Sequence, residues 1–316
     1  MRNSIKMIIL VVIAILFSSI YLFHGLNGSF DYALPRRGIK VIAMILTGVS
    51  IAYATVVFQT ISHNRILTPS IMGLDSLYLL IQTVIIFFLG SGHVLVVNRQ
   101  YNFFLAVVAM IVFALLLYQL LFKNGKRPIY FLLLVGIIVG TFFLSISTFL
   151  QVLIDPNEFM RVQDRMFASF NNVNADLVWI ALAIIVIAIA IGWRSMNYLD
   201  VLSLGRDHAI NLGVPYDLIV KRMLVLVAIL ISVATALVGP ITFFGLIVAN
   251  LSYQFFKTYR HTTLISGAMV MSIIALVGGQ WVVERVFTFS TTLSVIINFF
   301  GGVYFIYLLL KESRSK

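Results

Sequence analysis

Side chains able to do chemistry are few in this sequence, and they are scattered. The five histidines, His24, His63, His93, His208 and His261, stand far apart near expected helix ends. No two are spaced i, i+4, the separation that puts two imidazoles on one helix face for a metal. They read as surface or interfacial groups, with no metal site. The chain has no cysteine, which removes disulfides and thiolate chemistry. A phosphate-cradling G-x-x-x-x-G-K-S/T loop is also missing. The nearest stretch, FKNGKRP at 122–128, lacks the first glycine and the final hydroxyl residue. No G-x-S-x-G nucleophile turn occurs. These residues describe no enzyme, and any ATP chemistry belongs to a separate chain.

An ion-coupled transporter places Asp, Glu or Lys mid-membrane as a relay. The two candidates are Asp75, near the inner end of one apolar run, and Glu284, near the outer end of another. Both are expected close enough to an interface to be solvated. The other intramembrane polar groups are mostly amides: Gln82, Gln119, Gln151, Asn250, Gln254, Gln280 and Asn298. Amides hydrogen-bond between helices as packing groups. A pathway lined by neutral groups suits a large ligand held elsewhere and allowed through.

The elements that must position these groups are membrane helices. Of 316 residues, 61% are hydrophobic and 10% charged, against about 45–50% and about 25% for soluble domains. Ten apolar runs are long enough to read as spans, at roughly 5–24, 39–60, 71–90, 101–121, 129–151, 176–192, 220–238, 240–256, 264–284 and 292–310. The pair 220–238 and 240–256 is separated only by Gly239-Pro240, so the second is expected to be tilted or partly re-entrant. The first run follows a basic start as a signal peptide does, but it is long and no small-x-small cleavage site follows, so it is read as an uncleaved helix. With the N-terminus inside, fifteen of the 22 Lys and Arg residues fall in cytoplasmic segments and seven outside. That bias places both termini in the cytoplasm. The net charge of +11 is spread through short loops, a topology signal and not a nucleic-acid surface.

Three local patterns stand above hydropathy. LPRRGIK at 34–40 enters the second span from outside, with Pro35 expected in the first helical turn. Arg36 and Arg37 there serve either headgroup anchoring or a salt-bridge patch for an acidic soluble partner. QTISHNRILTPSIMGLDS at 59–76 reads as a tight cytoplasmic turn: Asn64 ends or caps a helix, Pro69 cannot continue one, and Gly73 permits close packing. LSLGRDHAINLGV at 202–214 reads as a short two-turn cytoplasmic helix bounded by Gly205 and Gly213, with Asp207 at its positive end.

Together with VGPITFFGLIVANLSYQF at 238–255, these patterns resemble the iron-siderophore and cobalamin permease family of ABC importers, the type II importer membrane subunits. That family carries R-x-P-R before its second helix and N-P-L-A-x-P-x-x-L/I-G at its inner end. A cytoplasmic L-G-x-x-x-A-x-x-L-G and a G-P-I-x-F-x-G-L signature follow. The matching positions are Pro35 and Arg36; Asn64, Leu67, Pro69 and Gly73; Gly205, Ala209, Leu212, Gly213 and Val214; and Gly239, Pro240, Ile241, Phe243, Gly245 and Leu246. Ala33, Arg65-Ile66, Ala249-Asn250, Gln280 and Glu284 depart from the pattern, as in a divergent branch similar to Gram-positive-type siderophore permeases.

The resemblance implies an all-α integral membrane fold of about ten helices. It forms one permease domain over 1–316 with a cytoplasmic coupling segment at about 199–219. It implies a bacterial cytoplasmic membrane protein that imports Fe(III)-siderophore. Cobalamin or haem is the alternative cargo, and an ion-coupled secondary transporter the remoter alternative. The implied partners are a second permease, either a non-identical paralogue or a second copy; two ATPase subunits, which hold the ATP and Mg; and an extracytoplasmic binding protein or lipoprotein. This chain binds no cofactor, and iron travels chelated. The same resemblance gives ATPase coupling to Leu204, Gly205, Arg206, Asp207, Ala209, Leu212, Gly213 and Val214, and binding-protein docking to Arg36 and Arg37. It places the pathway near Ser145, Ser147, Thr148 and Gln151 on the fifth span and Asn298, Gly301 and Gly302 on the tenth.

Overall fold

The computed structural model describes residues 3–25, 30–122, 129–288 and 291–313. The expectations resting on Arg2, Lys123, Lys126, Arg127, Arg314 and Lys316 lie outside these residues. The described residues form helices and connecting turns, without strands. Eight helices are long and apolar enough to cross a membrane. They are α1 (Asn3–Phe23), α2 (Phe30–Ser62), α5 (Arg99–Phe122), α6 (Ile129–Leu153), α8 (Ala175–Trp193), α11 (Tyr216–Val238), α13 (His261–Arg285) and α14 (Leu293–Ser313). Two shorter apolar helices, α3 (Leu74–Leu89) and α12 (Phe244–Phe256), complete the ten expected spans. The short α4 (Val94–Val97) and α7 (Pro156–Met166) lie on the outer side, and α9 (Met196–Leu202) and α10 (Arg206–Asn211) on the inner side.

Helices α2 and α11 form the centre. In their apolar windows 83% and 72% of residues are buried inside the protein, against 17% for α1 and α14 at the rim. Since lipid is as apolar as a leucine, close approach between membrane helices comes from small residues. Helix α2 supplies them in Ala43, Thr47, Gly48, Ser50, Ala52, Ala54 and Thr55, all buried. Its Gly48 faces Ser272 and Leu276 of α13, and Thr55 sits against Gly245 of α12. Tyr53 lies against Gly192 of α8.

Four expectations change. Helix α2 begins at Phe30, so Pro35 lies inside it, beyond the first turn. The outer stretch 156–166, read as loop, is helix α7, and its start signals were present: Asp155 caps through Asn157 N, Pro156 opens the helix and Glu158 sits in the first turn. The span expected over 71–90 is split. Pro69–Met72 forms a 3-10 turn and α3 begins only after Gly73, which takes φ 82°. The span expected over 240–256 is helical only from Phe244.

Candidate functional site

The inner segment after α8 folds as two short helices, α9 and α10. Gly205 (φ 103°) and Gly213 (φ 80°) bound α10 in backbone regions that favour glycine. A side chain on either glycine would meet nothing within 4 Å, so both face open space. Asp207 occupies the first turn of α10. Arg206 lies over the Tyr216 ring and 3.9 Å from Asp217. The expected coupling residues divide into two sets. Ala209 and Val214 are buried against the bundle, whereas Leu204 and Leu212 are exposed, at 57% and 64%; Ile210, outside the expected set, is also exposed. Leu204, His208, Asn211 and Leu212 line a shallow depression on this face. Apolar side chains held into solvent beside two open glycines form a surface that a partner can cover.

A linkage not foreseen in the sequence fastens this segment to the bundle. Asp200 of α9 accepts from the backbone N–H of His261 at 2.7 Å, and its Oδ1 lies 2.6 Å from His261 Nδ1. The other ring nitrogen lies 2.8 Å from Thr60 Oγ1 of α2. His261 is 4% exposed. One imidazole therefore bridges the inner helices, the start of α13 and the inner end of α2. Asp200 and His261 are 61 residues apart, and nothing local in the sequence marks the pair.

The inner turn expected at 59–76 is only partly cytoplasmic. Asn64 Oδ1 accepts from Ile66 N, and the carbonyl of Arg65 accepts from Gln59 and Asn250. His63 ends α2 at φ 51°, and partial burial pulls its imidazole below the usual value. Beyond Thr68 the chain turns back into the bundle. Gly73 there packs on α6, where a Cβ would sit 2.8 Å from the Gly140 Cα. Asp75 consequently lies among helices, 8% exposed, with Thr235 of α11 as a partner. The expectation that it is solvated near the inner interface is corrected: α3 starts inside the bundle and not at its surface.

On the outer side Arg36 is exposed and lies 4.1 Å from the Tyr32 ring centroid. Arg37 turns inward, and its Nη1 donates to the carbonyls of Tyr21, Leu22 and His24 at the end of α1. Glu284 is not an open interfacial carboxylate. Its Oε1 accepts from Tyr21, Gln280 and Lys40 at 2.7, 3.1 and 3.3 Å, joining α1, α2 and α13. Gly239 packs against Ala168 of the outer connection, and Pro240 follows where the chain is not helical.

The expected pathway residues fall on two separate surfaces. Helix α6 packs chiefly on α3 and the 3-10 turn before it, and α14 on α12 and α13. Ser145 and Thr148 are exposed on α6, their hydroxyls donating to the carbonyls of Thr141 and Leu144. Ser147 faces inward to Thr83, and Gln151 reaches both. On α14, Gly301 is closed over by Phe243, while Gly302 is open. Asn298 Oδ1 is buried without a partner. Exposed apolar side chains surround both surfaces, including Phe142 and Phe149 on α6 and Phe299 and Phe300 on α14.

A bundle of eight long apolar helices and two shorter ones among the described residues, with a short helical segment on the inner side, defines a polytopic membrane protein. The chain belongs to the FecCD transport family, whose model matches residues 4–311. It is 60% identical over its full length, and that of its relative, to the petrobactin import system permease protein YclO of Bacillus subtilis. Two petrobactin import system permease proteins of Bacillus anthracis are also similar. FatC is 39% identical, with 90% of this chain and 80% of FatC covered, and FatD is 26% identical, with 99% and 91% covered. Among solved structures, a metal-chelate type ABC transporter in an inward-facing conformation superposes with a TM-score of 0.83, at 20% identity, covering 98% of this chain and all of the other.

Proposed function

We propose that this chain is the membrane-spanning permease subunit of an ATP-driven importer that carries Fe(III)-siderophore of the petrobactin class across the bacterial cytoplasmic membrane. The observation that carries this reading is 60% identity, end to end, with a petrobactin permease. The reading makes 1–316 one permease domain.

The separate outward faces of α6 and α14 support a pathway formed between two permease subunits, since one chain does not bring them together. FatC and FatD, two permeases of one named system, support a non-identical second permease. The exposed apolar surface of α10 suits docking to an ATPase subunit, which holds ATP and Mg. The Asp200–His261–Thr60 linkage would pass its movement to α2 and α13. Exposed Arg36 suits contact with an acidic binding protein on the outer side, whereas Arg37 serves the end of α1. Because the siderophore chelates the iron, protein ligands to iron are not needed.

The test is uptake of labelled Fe(III)-petrobactin, cobalamin and haem in a strain lacking this chain and complemented by it. Restored petrobactin-dependent iron uptake supports the reading. Restored cobalamin or haem uptake alone overturns the cargo. Uptake that survives deletion of the ATPase partner overturns the ABC mechanism.

A further inference from the structure

Two of the ten membrane segments begin as broken helices, and their broken starts meet. Helix α3 has 16 residues and α12 has 13, about 24 and about 20 Å long, against a hydrocarbon core of about 30 Å. The first is preceded by the 3-10 turn Pro69–Met72, the second by non-helical residues 239–243. Non-helical backbone at membrane depth is tolerated where it lines a polar cavity, and converging broken helices are where transporters hold small ions.

The convergence point is such a cavity. It has room for one water-sized particle, about 10 Å³. Thr68, Ser70 and Asp75 line it from one broken start, Thr242 from the other, Thr55 from α2 and Thr235 from α11. Asp75 Oδ1 accepts from Thr235 Oγ1 at 3.3 Å. Its Oδ2 is buried without a partner, and so is Thr55 Oγ1. Asp75 is the one charged residue among those lining the cavity. The nearest titratable groups on α3 and α5 are engaged elsewhere: Tyr78 with Arg165, and Tyr118 with the Met72 thioether.

A carboxylate taken out of water without a counter-charge is strongly disfavoured. Here no basic side chain lines the cavity to supply that charge. One carboxylate balances one positive charge, so a monovalent ion is the ligand matched in charge. Five hydroxyl-bearing residues line this one-particle space beside the carboxylate, and hydroxyl and carboxylate oxygens are the hard donors that small cations take. A protonated acid needs a single acceptor, and it leaves those hydroxyls and the unpartnered Thr55 oxygen unexplained. We propose that Asp75 and the Thr55, Thr68, Ser70, Thr235 and Thr242 hydroxyls form a binding site for one sodium-sized monovalent cation. The cation ties the starts of α3 and α12 to α2 and α11. The inference is independent of the cargo.

The test uses full-length permease in nanodiscs. The thermal unfolding midpoint is followed against NaCl, with choline chloride holding ionic strength constant, between pH 6 and 9. Sodium is expected to raise the wild-type midpoint saturably, as a ligand of the folded state does. Equilibrium binding of labelled sodium should reach one per chain. Asp75→Asn should abolish both effects. Thr55→Val, nearly equal in shape, should raise the half-saturating sodium concentration about tenfold, and it carries the test if Asp75→Asn does not fold. Three results would overturn the proposal: a sodium response unchanged in Asp75→Asn and Thr55→Val, potassium acting at the same half-saturation as sodium, or a wild-type midpoint that ignores sodium and falls only as pH rises. The last is the signature of a protonated acid.

Discussion

Truncating Leu204 and Leu212 together should release the ATPase subunit while leaving the permease folded. The two side chains are 57% and 64% exposed in the isolated chain. Full burial of a leucine contributes about 1.5–3 kcal/mol. With somewhat more than half of each still to be covered, and a Cβ kept by alanine, each truncation removes about 1 kcal/mol of docking energy. The pair removes about 2 kcal/mol, about a 30-fold weakening at about 1.4 kcal/mol per factor of ten. Folding should hardly change, because neither side chain is packed in the free subunit. The assay is the affinity of ATPase subunits for nanodisc-reconstituted permease, run beside the permease's own thermal midpoint. Ala209 is the internal control. It is fully buried two residues before the exposed Asn211, so Ala209→Leu should lower the midpoint by overpacking instead of acting at the surface. Wild-type ATPase affinity in the Leu204→Ala/Leu212→Ala variant would refute the docking surface. So would a fall in its midpoint as large as that of Ala209→Leu.

Four further outcomes follow from the geometry. Gly213→Arg should fold at a local strain of about 1–2 kcal/mol from its positive φ, yet lose ATPase-coupled uptake, since its side chain meets open space; retained co-purification and substrate-stimulated hydrolysis would contradict this. Arg36→Glu should weaken binding-protein association at low salt and flatten what salt dependence remains, checked by titration at two ionic strengths. His261→Ala strands Asp200 and Thr60, at about 1–3 kcal/mol. It should lower uptake per ATP hydrolysed as well as the thermal midpoint, and Asp200→Asn should do so less. His63 is held below its usual value in the fold, so the unfolded chain binds its proton first and stability falls as pH drops through about 6.5. His63→Asn, which tolerates positive φ, should reduce that acid sensitivity in unfolding curves taken at pH 5 and 7.

The apolar helices and the glycine-bounded inner helix were legible in the sequence, because each follows from a local rule. Lipid selects long apolar runs, and a positive φ selects glycine at Gly205 and Gly213. The family motifs at Pro69, Gly73, Gly239 and Pro240 were visible for the same reason, since they mark backbone turns. The Asp155-Pro156 start of α7 follows a local rule too, but a reading by hydropathy left the stretch between two expected spans. What the sequence could not place was depth and partnership. Hydropathy assumes that an apolar run crosses the membrane whole, so it set Asp75 at an interface, whereas α3 begins inside the bundle because Gly73 and Gly140 allow the backbones to meet there. The partners of Glu284 and of His261 come from helices up to 263 residues away in the chain, and only packing brings them together. Composition and local conformation thus determined that this chain is a membrane helix bundle with a short glycine-bounded inner segment. The tertiary structure decided which polar groups are buried, what they hold and which faces stay open for partners, because burial and pairing are properties of the assembled helices and of no single one.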